Sequence, residues 1–346
     1  MKTNVAILGA TGYTGVELLR ILLNHPSVKI TGLSSERFSG IRISDVFPSL
    51  SGCDINTKTI DDPSVYKNAD VVFSCLPNEK SAEIVPELIK LGKRVIDLSA
   101  AFRFSDSKIY KQWYHKHPAP ELLKQAVYGL PELFRKDIKK ATLVANPGCY
   151  PVSVLLPVIP LVKEGIISPD KTIIIDSKSG VTGAGRNPSQ ELHFSEVNEG
   201  FRPYKPMAHR HQPEMESIIK KESGKNVKLA FVPHLLPINR GILSSIYFEV
   251  NGEHDFKKAQ SVLERFYKNE KFVKILDSNT LPNPAYLKGS NYCYISMSYN
   301  QNLNHIVVFS AIDNLGKGAS GNAVQNMNIM MGFDEAEGII HLPLFP

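Results

Sequence analysis

The stretch from Val5 to Leu33 constrains the fold more tightly than any other. Val5-Ala6-Ile7-Leu8 is an uninterrupted apolar run of strand length, and Gly9-Ala10-Thr11-Gly12-Tyr13-Thr14-Gly15 follows it. Val16, Leu19, Leu22 and Leu23 then recur at the spacing of one helix face. A buried strand, a glycine-rich turn and a helix form the context that a dinucleotide pyrophosphate needs. Glycines let the backbone approach the phosphates, and the helix N-terminus meets their charge. Gly9, Thr11, Gly12, Tyr13, Thr14 and Gly15 are therefore candidate cofactor contacts. The spacing is GxxGxxG rather than GxGxxG, so a plain strand-to-helix turn is the competing reading.

The rhythm continues. Val28–Leu33 reads as a second strand ending at Ser34-Ser35-Glu36-Arg37. A carboxylate at this strand end binds the ribose 2′-OH of NAD, whereas a guanidinium accommodates the 2′-phosphate of NADP. Ser34, Ser35 and Arg37 favour NADP; Glu36 keeps NAD open. Asp70–Cys75 is a further strand, followed by Leu76-Pro77-Asn78 and a helix with Ile84, Leu88 and Leu91 inward. Arg94–Leu98 leads into Ser99-Ala100-Ala101-Phe102-Arg103. Alternating strands and helices predict a parallel, doubly wound, Rossmann-type α/β sheet. Its strand ends, with Ser74, Leu76 and Pro77 among them, face the cofactor crevice. Residues 105–140 read as a covering loop with a short helix, ending in Tyr128-Gly129-Leu130-Pro131-Glu132, and Thr142–Ala145 as a short strand.

That strand delivers Asn146-Pro147-Gly148-Cys149-Tyr150-Pro151. With Pro151 at the first helical position, Cys149 stands at a helix entrance, where unpaired N–H groups and the macrodipole favour a thiolate. A thiolate there suits a covalent nucleophile for acyl transfer; the alternative is a small buried hydrophobe. The apolar run Val152–Val162 contains Pro157 and Pro160, so the helix either kinks or stops early. From Lys171 the pattern changes. Thr172–Asp176, Leu229–Val232, Ile242–Val250, Tyr292–Ser298 and Ile306–Ile312 read as strands with few helices among them, chiefly Phe256–Tyr267. This predicts an α+β second domain with a mostly antiparallel sheet.

A catalytic thiol needs a proton-exchanging partner. His209-Arg210-His211-Gln212-Pro213-Glu214 is the densest candidate: either histidine could move protons, and Glu214 could orient His211. Pro213 is expected to open a helix with Met215, Ile218 and Ile219 inward; a solvated polar turn is the plainer alternative. His193, His234 and His305 read as structural. Ser177–Arg186 reads as a glycine-rich loop after a strand, with Arg186 able to grip a carboxylate or phosphate, or else as a simple connection. Arg103 and Arg240 each follow an apolar segment and suit an anion clamp.

Composition narrows the function. In 346 residues, 42% hydrophobic and 21% charged, two domains with their own cores are expected. The formal charge of +6 is spread along the chain without a basic, aromatic-interleaved block, which argues against a nucleic-acid partner. Cys53, Cys75, Cys149 and Cys293 show no metal spacing and fit free thiols in a reducing compartment. No apolar run approaches the ~18 residues of a membrane span. With no secretory h-region after Met1-Lys2, a cytoplasmic protein is expected.

GATGYTG, DLSAAFRF, YGLPEL, NPGCYP, SGVTGAGR, HRHQPE and KGASGNAVQNMN occur in that order along the whole chain. In these the sequence resembles the N-acetyl-γ-glutamyl-phosphate reductases of arginine biosynthesis, relatives of aspartate-semialdehyde dehydrogenase. The resemblance implies NADPH-dependent reduction of an acyl phosphate through a Cys149 thioester, with His209 and His211 as the acid/base pair. It implies that Gly9–Gly15 and Arg37 hold NADP, and that Arg103 meets the substrate phosphate. Ser179, Gly180, Arg186 and Asn314 would border nicotinamide and substrate, with Glu214 and Arg240 as further substrate contacts. The expected division is 1–148 for NADP, completed by 315–346, and 149–314 for catalysis and dimerisation. A homodimer or homotetramer is implied, and no metal. The same chemistry on an N-succinylglutamyl, carrier-bound aminoadipyl or aspartyl phosphate is the alternative. Family members often carry Asp where Ala101 stands and Thr where Val152 stands.

Overall fold

The computed structural model describes residues 2–277 and 279–345. The chain divides into two units, one taking the chain up to Pro147 with Ala319–Ile340, the other Gly148–Gly318 and the residues from His341 onward.

In the first unit, β1 (Thr3–Leu8), α1 (Tyr13–Leu22), β2 (Val28–Leu33), a single turn α2 (Ile43–Val46), β3 (Val71–Ser74), α3 (Asn78–Lys90) and β4 (Arg94–Asp97) follow one another. Then come α4 (Ser107–Trp113), β5 (Val127–Tyr128), α5 (Pro131–Ile138) and β6 (Leu143–Ala145). The six strands pair in the order β2-β1-β3-β4-β6-β5, all parallel. This is the expected α/β class. Val5–Leu8 are wholly buried, as a strand with neighbours on both edges and layers on both faces must be. The chain leaves β1 for β2 on one side and reaches β3 on the other. That reversal opens a crevice beyond the carboxyl ends of β1 and β3.

Two helix faces differ from the sequence reading. In α1 the buried stripe is Leu18, Leu19, Ile21 and Leu22; Val16 is only partly covered and Leu23, just past the end, is exposed. In α3 the inward residues are Ser81, Ala82, Val85 and Leu88, while Leu91 lies outside the helix and is exposed. In α3 the covered face is the one packed on the sheet, where Ala82, Val85 and Leu88 join Val72 and Val95 in one buried cluster. In the region read as a loop, His117 is buried edge-on against Phe102 and Tyr110.

The second unit starts with α6 (Cys149–Lys163), followed by β7 (Thr172–Gly180), a turn α7 (Phe194–Val197), β8 (Arg202–Pro203), α8 (His211–Ser223) and β9 (Lys228–Leu236). After these come β10 (Ile242–Glu249), α9 (Glu253–Tyr267), β11 (Val273–Ile275), β12 (Cys293–Asn300) and β13 (His305–Ile312). Its seven strands run β11-β12-β13-β10-β7-β9-β8, antiparallel except for β11/β12 and β7/β9. The mixed, mostly antiparallel sheet agrees with expectation. Residues Ser177–Gly180, read as loop, are the end of β7, paired on one side with β10 and on the other with β9.

Helix α6 does not stop at its prolines; it continues through both to Lys163. Pro160 has no N–H to offer the Leu156 carbonyl, and the Tyr267 hydroxyl of α9 donates to that oxygen instead. Helix α6 starts at Cys149, with Gly148 as the N-cap, so Pro151 is its third residue rather than its first. Likewise α8 starts at His211, two residues before Pro213. At either third position the missing N–H belongs to the first turn, where no intrahelical partner exists. The last helix, α10 (Gly321–Met331), belongs to the first unit. Among the described residues no helix is long and apolar enough to cross a membrane.

Candidate active site

In the first unit the site begins at the end of β1. Gly9 has φ +78°, and a Cβ there would lie 2.7 Å from the Cys75 carbonyl oxygen at the end of β3. A Cβ at Gly15 would come within 2.5 Å of the Gly9 oxygen. Both glycines are therefore sterically required: they let α1 begin against the strand ends. Gly12 is the N-cap, in extended conformation and without a side-chain cap. The Ser34 hydroxyl accepts from Gly9 N–H (3.0 Å), and Ser35 pairs with Thr11 (2.8 Å). Both serines are buried; they brace the turn from the end of β2. The Glu36 carboxylate accepts from Ile60 N–H at 2.8 Å, while Arg37 is exposed, over the Phe38 ring. A carboxylate already occupied by the Ile60 N–H and a neighbouring exposed guanidinium fit a 2′-phosphate better than a bare ribose diol.

At the β3 end, Ser74 bonds Ser81 (2.8 Å), Leu76 flanks Gly9, and Pro77 is the N-cap of α3. Tyr13 is exposed at the start of α1, and the Thr14 side chain hydrogen-bonds Cys75. Burial nevertheless pushes the Cys75 thiol up to about 12, so this cysteine is no nucleophile at neutral pH. Asp97, wholly buried at the end of β4, accepts from Ser81 Oγ (2.6 Å), Ser99 Oγ (2.8 Å) and Ser99 N–H (3.1 Å). Desolvation raises its pKa against those bonds. The loop it shapes carries Arg103, whose Nε donates to Asn146 O (2.8 Å) and Nη2 to Leu98 O (2.9 Å). Ala101, buried in that loop, donates its N–H to Ser99 Oγ.

In the second unit, Cys149 is the first residue of α6 and is only partly buried, unlike Cys53 and Cys293. Gly318 passes so close that a Cβ there would lie 3.0 Å from the Cys149 Cβ. Val152 is wholly buried and donates its N–H to Gly148 O. Glu214, in the first turn of α8 and 1% exposed, accepts from Gly148 N–H at 2.9 Å. One carboxylate thus ties the start of α8 to the residue before the cysteine.

His209 and His211 are 7% and 8% exposed, which rules out a solvated turn. Their rings lie 4.7 Å apart, and each meets the Tyr150 ring edge-on (5.7 and 5.8 Å). His211 N–H donates to His209 Nδ1 (3.1 Å), so in the neutral ring the His209 proton sits on Nε2. Burial, with Arg210 and Lys205 adding repulsion, pushes His209 down to about 4. The Tyr204 hydroxyl donates to that of Tyr150 (3.0 Å), and Tyr150 also hydrogen-bonds Ser179. Burial and the nearby Cys149 charge hold both phenols well above their ordinary range.

Around them, a Cβ at Gly180 would strike the Asn239 oxygen (2.7 Å). Asn314 accepts from Gly241 N–H (2.8 Å) and donates to Thr182 (2.9 Å). The Arg240 guanidinium is paired with the buried Asp313 (2.9 Å), while Arg186 is exposed beyond the turn that ends β7. His193 and His305 are exposed, and His234 faces Asp176 at 3.0 Å. No group of three or more His, Cys, Asp and Glu among the described residues could hold a metal ion.

Residues 4–141 match the semialdehyde dehydrogenase, NAD binding domain model, and residues 149–314 the semialdehyde dehydrogenase, dimerisation domain model. The N-acetyl-gamma-glutamyl-phosphate reductase of Desulfotalea psychrophila is 48% identical over 99% of both chains. The proteins of that name from Geobacter sp. and Thermoanaerobacter sp. are also 48% identical, again over 99% of both chains. This chain belongs to the N-acetyl-γ-glutamyl-phosphate reductase family. Solved structures extend the likeness in fold. Vibrio cholerae aspartate semialdehyde dehydrogenase II, complexed with ASA, superposes with a TM-score of 0.74 at 16% identity, covering 96% of this chain and 99% of that one. The Candida albicans aspartate semialdehyde dehydrogenase with NADP gives 0.70 at 16%, with the same coverage of both chains.

For a member of the N-acetyl-γ-glutamyl-phosphate reductase family, the sequence reading missed two neighbours of the thiol. Tyr204 lies in a segment without apolar periodicity, where only its aromatic character could have drawn notice. Gly318 stood within a quoted motif, but nothing local ties it to Cys149, 169 positions (318 − 149) upstream.

Proposed function

We propose that this protein catalyses the NADPH-dependent reductive dephosphorylation of N-acetyl-γ-glutamyl phosphate to N-acetylglutamate 5-semialdehyde and phosphate. This would be a step of arginine biosynthesis in the cytoplasm. The observation that carries the reading is Cys149 at the first position of α6, beside a glycine and a Tyr150-centred pair of buried histidines.

Cys149 Sγ, as thiolate, attacks the acyl carbon. The C–O bond to phosphate breaks and a thioester remains on the protein. Arg103 takes the phosphate, its guanidinium plane set by the Leu98 and Asn146 carbonyls. Bound NADPH supplies the hydride that reduces the acyl group; Gly9, Thr11, Gly12, Tyr13, Thr14, Gly15, Ser34, Ser35 and Arg37 would hold it, with Ser74, Leu76 and Pro77 along the β3 end. The glycine cradle supports this, since a Cβ at Gly9 or Gly15 would meet backbone. Once the acyl carbon is reduced, its oxygen takes a proton from the His211 imidazolium; when the C–S bond breaks, the C=O bond re-forms, sulfur leaves with the electron pair and the same proton returns to His211. His209, kept neutral by burial, offers Nε2–H as a donor to substrate oxygen. Glu214 steadies Gly148 and so the start of α6. Ser179, Arg186 and Arg240 are assigned to substrate, and Gly180 and Asn314 to the nicotinamide border. A homodimer or homotetramer is part of the proposal. It is supported by the dimerisation-domain match and by exposed Ile174 and Tyr247, paired across β7 and β10.

The test is the reverse reaction: N-acetylglutamate semialdehyde, phosphate and NADP, followed as NADPH absorbance, beside the Cys149→Ala variant. Phosphate-dependent NADPH formation that disappears in the variant is expected. A wild-type protein that binds NADP but never reduces it would sink the proposal.

A further inference from the structure

Every residue of α10 from Gly321 to Met330 is buried. A helix covered all round is normally apolar, yet this one carries Asn322, Gln325, Asn326 and Asn328. Gln325 and Asn328 hold the turn after the helix, through Glu335 and the carbonyls of Glu335 and Glu337. Asn322 and Asn326 do something else. Asn322 Nδ2 donates to Gly129 O (2.7 Å) and to Asn146 Oδ1 (2.9 Å). Asn326 Nδ2, one turn on, donates to the same two oxygens (2.8 and 3.1 Å). Flipping either amide would set oxygen against oxygen, so the orientation is determined. Asn326 Oδ1 is left buried without a hydrogen-bond partner among the described residues, a standing cost that packing does not require. Gly129 has to be glycine for this grip, since a Cβ there would lie 2.6 Å from Asn326 Nδ2.

Asn146 uses all its polar groups: N–H to Asp97 O (2.8 Å), Nδ2 to Ala319 O (3.1 Å), Oδ1 to the two asparagines, and its carbonyl to Arg103 Nε (2.8 Å). We propose that Asn322 and Asn326 are positioning residues for Arg103: by clamping the Asn146 amide they fix the carbonyl that aims the guanidinium, and so set the enzyme's affinity for the phosphate group. The inference rests on the reading of Arg103 as the phosphate clamp. The two donors are redundant. Removing either leaves each oxygen one partner; removing both leaves neither oxygen a partner from α10.

The experiment measures KM for inorganic phosphate, semialdehyde and NADP in the reverse reaction, with calorimetric phosphate binding to the NADP-bound enzyme. Asn322→Ala and Asn326→Ala should each raise the phosphate KM by no more than about threefold. The double variant should raise it by about thirtyfold or more, with the NADP KM unchanged; such non-additivity is expected of donors that share acceptors. Asn326→Asp, which keeps the volume but turns a carboxylate on the same oxygens, should raise it by about tenfold and decides the matter if the double variant does not fold. An unchanged phosphate KM and calorimetric affinity in the folded variants would overturn the inference, leaving only a structural role. An inactive wild-type enzyme would overturn the underlying reading instead.

Discussion

Helix α1 starts after Gly12 and helix α6 after Gly148. Both glycines are extended (φ −75°, ψ 164° and φ −66°, ψ 152°), neither offers a side-chain cap, and neither first turn carries an acidic residue. Ordinary helices put Ser, Thr, Asp or Asn at that position. Under the proposed function each of these ends meets an anion instead, and the two differ in where it comes from. At α1 the glycines clear space for a ligand that arrives from solution. At α6 the proposed mechanism puts the anion on the Cys149 sulfur, already part of the chain, and a buried carboxylate holds the residue before it. A site for a guest is built by removing side chains; a site for a resident charge is built by fixing backbone.

The sharpest way to break this contrast is at sulfur. Cys149→Ala should lower kcat by more than about 10³-fold with NADP affinity retained, whereas Cys75→Ala, at the α1 side, should leave kcat within a few-fold. The acid response should come next and belong to the α6 unit. His209 titrates near 4 in the fold and near its ordinary 6.5 when unfolded. The unfolded chain therefore takes the proton first, and stability falls as pH drops from 6.5 toward 4 and is flat above 6.5. The span is at most on the order of 3 kcal/mol, and denaturant melts of His209→Asn should show a shallower loss across that window. His211→Asn, not His209→Asn, should change the shape of the pH–rate profile.

At α1, Gly9→Ala forces a positive φ and a backbone clash, and should cost about 2 kcal/mol of stability along with NADP affinity, read by melts and fluorescence titration. Smallest, Arg37→Ala should weaken NADPH binding about tenfold, or about 1.4 kcal/mol, while NADH binding is unaltered.

The two ends were unequally legible in the sequence. The α1 end is local: an apolar run, three glycines and a helix all lie between Thr3 and Leu22, and the parallel sheet follows from the alternation. The α6 end draws on the whole second unit. The cysteine and the HRH triplet were readable as residue types. Their neighbours Tyr204 and Gly318 were not, because the contacts come from distant segments; the one holding Tyr204 has positive φ at Glu199, Lys205 and Met207. The proline-bearing course of α6 was undecidable for the same reason. The donor that replaces the lost amide is a phenol 111 positions away.

Gly318 has a consequence for how such enzymes can diverge. The main chain at Gly318 runs close beside Cys149, and a Cβ there would lie 3.0 Å from the Cys149 Cβ and 3.2 Å from the Asp313 carbonyl oxygen. A side chain at that position would have to displace the cysteine or the backbone beside it, so under the proposed function a change of acyl specificity is expected to arise elsewhere in the site.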